Sequence, residues 1–131
     1  MIKEHKGKGI VAFLDILGFS KEIEQNWEKK KDNPLDKLLT LKNSIPLNTG
    51  IFQADFDIDP ARNKSIYPCR VQTISDSIII SHGFDEIVNE FDYALGVISF
   101  CNYISKIWLN CIEAGFTIRG GCDYGNIYWN N

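Results

Sequence analysis

The chain has 131 residues, of which 44% are hydrophobic, 12% aromatic and 24% charged. These values describe one globular domain over residues 1–131 and exclude a disordered or fibrous chain. Fourteen Lys and Arg against seventeen Asp and Glu leave a net charge of −3, so the basic excess of a nucleic-acid-coating protein is missing. The apolar run Ile10–Leu14 is interrupted by Asp15 and is too short to cross a bilayer. With no signal-peptide pattern either, the expectation is a cytoplasmic protein with no membrane partner.

Residues 1–8, with Lys3, Lys6 and Lys8, read as a flexible lead-in, and His5 falls in it. Ile10–Leu17, bounded by Gly9 and Gly18, reads as a buried strand. Ser20 then offers an N-cap for a helix of about three turns, with Glu22 and Glu24 at its positive end and Lys29–Lys31 at its negative end. Asn33-Pro34 starts a second helix, with Leu35, Leu38, Leu39 and Leu41 as its apolar stripe and Pro46 as its limit. Residues 48–68 give no clear pattern.

Arg70–Ile74 and Ser77–Ser81 read as strands joined tightly by Ser75-Asp76. Asp85–Ala114 carries the strongest helical pattern, with Ile87, Phe91, Leu95, Ile98, Cys101, Ile104, Trp108 and Cys111 at steps of three or four, and Gly115 stops it. Phe116–Cys122 is a further strand, and Gly125 turns the chain toward a short strand at Ile127–Trp129. The order β, α, α, β, β, α, β and a partial β predicts an α+β fold, a ferredoxin-like, antiparallel-rich sheet with helices on one face. Cys69, Cys101, Cys111 and Cys122 match no metal or redox spacing and read as free structural thiols.

Three segments carry chemistry. In Phe13-Leu14-Asp15-Ile16-Leu17-Gly18-Phe19-Ser20 a carboxylate interrupts an apolar strand, where it needs a cation or several donors. Gly18 permits close backbone approach, and the amides of a following helix start favour anions. This arrangement suits a metal–triphosphate, while a plain alternative is an Asp paired with a core Arg or Lys. In the second segment, Gln72 to Ile80, Asp76 occupies the hairpin tip, where Asp is also an ordinary turn residue. A ferredoxin-like order sets the first strand beside the second half of this hairpin. Asp15 and Asp76 then converge, as a two-metal phosphoryl-transfer site requires. In the third, Thr117-Ile118-Arg119-Gly120-Gly121-Cys122-Asp123-Tyr124-Gly125, the paired glycines indicate close packing. Arg119 is a phosphate or carboxylate partner or, more plainly, a solvent-facing or structural ion-pair member, and Asp123 is a surface or turn residue.

Together the segments Asp15-Ile16-Leu17-Gly18-Phe19-Ser20, Ser75-Asp76 and Arg119-Gly120-Gly121 with Gly125 resemble the class III nucleotide cyclases. The Ser-Asp-Ser and Arg-Gly-Gly versions are most similar to the bacterial pyrimidine cyclases of Pycsar anti-phage defence. The resemblance implies the class III cyclase fold and a lyase that converts a nucleoside triphosphate to a 3′,5′-cyclic nucleotide and pyrophosphate. It implies two Mg²⁺ or Mn²⁺ ions held by Asp15, Asp76 and the Ile16 carbonyl, with Asp15 and Asp76 as the catalytic pair. It also implies that the amides of Leu17, Gly18, Phe19 and Ser20 receive the β- and γ-phosphates. At the base-proximal position, four residues before the hairpin Asp, adenylate cyclases carry Lys and guanylate cyclases Glu; here it is Gln72. Gln both donates and accepts, so neither purine signature is present, which is compatible with UTP or CTP and a cUMP or cCMP product.

The resemblance further implies a homodimer in the complete protein and a downstream effector that senses the cyclic nucleotide. The family continues beyond this point with a strand and helix that this chain lacks. The expectation is either a fragment of a longer gene product or a shortened domain without full catalytic equipment, and the alternative reading of function is a catalytically inactive cyclase-homology module that binds nucleotide or dimerises. An RNA-binding sheet is disfavoured by the charge. A calcium loop at Asp55, Asp57 and Asp59 fails because Pro60 takes its glycine position and Ile66 its bidentate Glu position.

Overall fold

The computed structural model describes residues 4–31, 33–44, 50–53, 66–84 and 90–130. Their elements, in chain order, are β1 (Glu4–Ile16), α1 (Phe19–Asn26), α2 (Pro34–Ser44), β2 (Gly50–Gln53), β3 (Ile66–Ile74), β4 (Ser77–Gly83), α3 (Glu90–Glu113) and β5 (Ile118–Asn130). The fold is α+β. One five-stranded sheet runs β2-β3-β4-β1-β5, and every neighbouring pair is antiparallel.

The strand period of two divides β1 into two faces. Ile10, Ala12, Leu14 and Ile16 are buried, and with Val71, Ile78 and Ile80 they form one side of the core. Phe19 of α1, Leu38 and Leu41 of α2, and Phe100, Ile107 and Cys111 of α3 form the other side. Each such side chain, removed from water, contributes about 1.5–3 kcal/mol before chain entropy is counted.

The odd-numbered residues of β1 and their register partners form the sheet's other face. Three cross-strand rows follow from the pairing: Ile74–Ser77–Asp15–Arg119, Gln72–Ile79–Phe13–Gly121 and Arg70–Ser81–Val11–Asp123. Phe13 is half-exposed and Ile74 is exposed, so this face is open to solvent at the Asp15 end.

A fourth row consists of Gly9, Gly83 and Gly125. Side chains at two of these positions would collide with neighbours. A Cβ on Gly83 would lie 2.5 Å from the His5 ring, and one on Gly9 would strike the Ile127 side chain and the His82 carbonyl. Beyond this row, Glu4–Lys8 and Asn126–Asn130 continue as a two-stranded arm whose inner side chains lie against the glycines. Trp129 is buried and its ring sits 4.8 Å from His5. The Arg70 Nη1 donates to the Asn130 carbonyl at 2.6 Å and ties the arm to β3.

Several boundaries differ from the sequence reading. Glu4–Lys8 is paired strand rather than flexible lead-in, and His5 is packed on Trp129 rather than frayed. The turn expected at Gly125 is absent, because that glycine continues β5 opposite Gly9, so no separate strand forms at Ile127–Trp129. The short β2 is an additional edge strand. Helix α1 has eight residues, its N-cap is Gly18 rather than Ser20, and Lys29–Lys31 lie beyond its end. Gly18 takes that place because it adopts φ 70°, where a Cβ is unfavourable.

Helix α2 starts as its sequence indicates, with the Leu35 amide donating to Asn33 Oδ1 at 2.9 Å. It ends at Ser44, and Pro46 lies outside the described residues. So do residues 54–65, which include the Asp55–Asp59 segment, and residues 85–89 before α3. Helix α3 is long and apolar enough to cross a membrane by length and composition. Its Gly96, Ser99, Phe100, Ile107 and Cys111 are buried against the sheet, while most of its remaining surface is not. The buried stripe is rotated from the expected one, since Phe91, Ile98 and Trp108 are exposed while Phe100 and Ile107 point inward. Gly115, at φ 83°, ends the helix, with its amide on the Ile112 carbonyl at 2.9 Å.

Candidate metal and phosphate site

Hydrogen bonding at the end of β1 sets the Asp15 segment beside the hairpin tip. The Ile16 amide donates to the Asp76 carbonyl at 3.1 Å, and Asp15 is the register partner of Ser77. The residue after Asp15 is therefore bonded directly to the hairpin-tip residue Asp76. A strand residue's N–H and C=O leave on the same side, so the Ile16 carbonyl also faces the hairpin. The hairpin loop is two residues, and Ser75 takes φ 55° to close it.

Asp15 sits between two polar neighbours. On the β4 side the Ser77 hydroxyl donates to Oδ1 at 3.4 Å. On the β5 side Arg119 Nη2 lies 3.4 Å from Oδ2, which realises the ion-pair reading of Arg119. Arg119 is an exposed edge residue, with 71% of its side chain accessible against 26% for Asp15. It is thus not the core cation of the plain alternative for Asp15.

Immediately after β1 the chain turns at Gly18 into α1. The Leu17 amide donates to the Thr117 carbonyl at 2.8 Å, so it is committed to β5. That narrows the anticipated anion cradle to Gly18, Phe19 and Ser20, at the positive end of α1. A Cβ on Gly18 would meet nothing within 4 Å, so the approach to this turn is open. The Phe19 side chain is buried edge-on to Phe116, with ring centroids 6.0 Å apart, and anchors the helix start beneath the turn.

Gln72 lies one row away, beside Ile79 and Phe13. With its amide turned to satisfy both groups, its oxygen accepts from Arg70 Nε at 3.3 Å and Nη2 at 2.7 Å. That leaves its NH₂ group as the donor. The glycine pair divides between two roles. A Cβ on Gly120 would strike the Phe13 carbonyl and approach Leu14 Cδ2 to 2.6 Å, whereas one on Gly121 would meet nothing within 4 Å. Asp123 is a surface residue, its Oδ1 accepting from the Tyr124 amide at 2.8 Å.

The candidate donor set is Asp15, Asp76 and a main-chain carbonyl. All are oxygen ligands, the chemistry that Mg²⁺ and Mn²⁺ prefer. Among the described residues no group of three or more His, Cys, Asp or Glu is placed to hold a metal ion. A two-carboxylate site nevertheless fits Mg²⁺, which is commonly held by one or two carboxylates together with substrate phosphates. A cavity of about 260 Å³ lined by Asn33, Asp36, Lys37, Thr40 and Ala114 shares no residue with this site.

Ser77 belongs to the Ser-Asp-Ser segment read from the sequence, and Arg70 is a polar residue here to which that reading gave no role, since nothing local marked it. Cys101, Cys111 and Cys122 form no disulfide. No family model matches the chain, and no curated protein matches it.

Proposed function

We propose that this chain is the metal- and triphosphate-binding part of a class III nucleotide cyclase. The ferredoxin-like order of β3-β4-β1-β5 supports that fold. The carrying observation is the main-chain hydrogen bond from the Ile16 amide to the Asp76 carbonyl, which brings the backbones of the two motif segments together at one sheet end beside the Gly18 turn. Asp15 and Asp76 would hold two Mg²⁺ or Mn²⁺ ions, assisted by the Ile16 carbonyl. Bound there, the ions would acidify the nucleotide 3′-hydroxyl and offset the charge of the triphosphate.

The chain's own contribution is positional. The amides of Gly18, Phe19 and Ser20 orient the β- and γ-phosphates, and Arg119 supplies a cation at the same sheet end. Attack of the 3′-oxygen on the α-phosphorus then expels pyrophosphate, with no protein nucleophile. Alignment and fixed dipoles supply the rate. Gln72 presents an amide donor where a pyrimidine carbonyl can accept, so UTP or CTP is the proposed substrate. The product, cUMP or cCMP, would signal to a downstream cyclic-nucleotide-sensing effector in cytoplasmic anti-phage defence, and the complete protein would be a homodimer.

The test is product formation from UTP, CTP, ATP and GTP with Mn²⁺, read by mass spectrometry on the full-length protein, beside metal–nucleotide thermal shifts on this chain. Asp15→Asn and Asp76→Asn should each abolish cyclisation while the protein stays folded. Wild-type output from either variant would refute the assignment. A folded chain that no metal–nucleotide pair stabilises would refute the binding site itself.

A further inference from the structure

The geometry around Asp15 carries a consequence for how the proposed site is loaded. The carboxylate is rooted in a strand paired on both sides, and it is three-quarters covered. Arg119 stands on an edge strand with a long, largely exposed side chain, and it reaches Asp15 Oδ2 at 3.4 Å. One member of the pair is fixed and the other is free to leave. A divalent cation and the guanidinium cannot both occupy that oxygen closely, because they repel each other.

We propose that Arg119 is an electrostatic lock on Asp15. It is the carboxylate's counter-ion until a divalent cation arrives together with a polyphosphate, which gives the guanidinium a new anionic partner. This rests on the metal–triphosphate reading above. Arginine suits the exchange because its planar fork pairs equally well with a carboxylate or a phosphate. A cation arriving alone must displace Arg119 and leave two positive charges adjacent. A cation arriving with polyphosphate leaves the guanidinium paired. Arg119 therefore makes metal loading conditional on nucleotide, and linkage makes the condition mutual. Arg119 is a positioning residue here, since it acts on the metal through Asp15.

The test is Mn²⁺ binding to the 131-residue chain without nucleotide, read from the paramagnetic resonance signal of the free ion. Arg119→Gln should bind Mn²⁺ roughly tenfold more tightly than wild type, the scale of removing one nearby charge from a half-exposed site. Arg119→Lys keeps the charge and should stay within about twofold of wild type. Adding Asp15→Asn to Arg119→Gln should erase the gain. Equal or weaker binding by Arg119→Gln, in a protein whose binding still depends on Asp15, overturns the lock and leaves the metal site standing. Absence of Asp15-dependent Mn²⁺ binding from both wild type and Arg119→Gln overturns the lock and the metal reading together.

Discussion

Acid should weaken this fold through one side chain, His82. The residue is fully buried on β4, between the register partners Ile10 and Cys69 and beneath α3. The Phe100 ring stands edge-on to it at 5.0 Å, and Tyr103 lies at 6.3 Å. Burial likewise pushes the Tyr103 hydroxyl up to about 12, so that neighbour stays neutral across the working range. Desolvation lowers the His82 pKa from 6.5 to about 4. In the unfolded chain the imidazole binds a proton below about 6.5, while in the folded chain it resists until about 4. The unfolded state therefore holds more protons through that window, and stability rises with pH there. The His82 contribution is fully present above pH 6.5, declines as pH falls, and is spent below about 4.

At about 1.4 kcal/mol per pH unit, the gap between 6.5 and about 4 is worth about 3 kcal/mol. That is a large share of a typical total of about 5–15 kcal/mol. Urea unfolding followed by tryptophan fluorescence from pH 7.5 to 4.5 measures it, with His82→Phe as the comparison because a ring of similar shape keeps the packing. Wild type should lose about 2 kcal/mol more than His82→Phe over that interval. Parallel pH profiles for the two proteins would show that His82 does not set the acid limit.

Two further substitutions probe the backbone reading. Gly120→Ala should cost about 1–3 kcal/mol, because its Cβ collides with the Phe13 carbonyl and Leu14, while Gly121→Ala, with open space above it, should leave the thermal midpoint within a degree or two. Asn33→Ala removes the bond from the Leu35 amide at the start of α2 and should cost about 1 kcal/mol in urea unfolding.

The parts of this fold that the sequence disclosed are those where local pattern and tertiary pairing agree. The β3–β4 hairpin is legible because two β-branched runs flank a two-residue polar turn. The backbone adjacency of the Asp15 and Asp76 segments is legible because the motif order implies β1 beside β4. Helix α3 is legible in extent but not in phase. It carries apolar residues on every side, with Leu109 and Ile112 exposed, so periodicity alone selects no inner face. The arm escaped for the opposite reason. Its inward residues are His5 and Gly7 rather than aliphatics, and the exposed Lys6 and Lys8 alternate with them, so a period-two strand passes for a basic tail. Gly125 looked like a turn because a glycine's signal is the same whether it ends a strand or continues one. The Arg119–Asp15 pair joins residues distant in sequence, and only the β1–β5 register reveals it.

The arm also has a practical corollary for handling the protein. Glu4 and Asn130 are cross-strand partners, so the first and last residues of the described fold lie on one rung, about 5 Å apart. A bridge of a few residues between them would form an ordinary hairpin loop, at little closure entropy. The chain is thus suited to circular permutation, with new ends cut elsewhere. Fusions or surface tethers attached at either end would crowd the same corner, some 30 Å of strand away from Asp15.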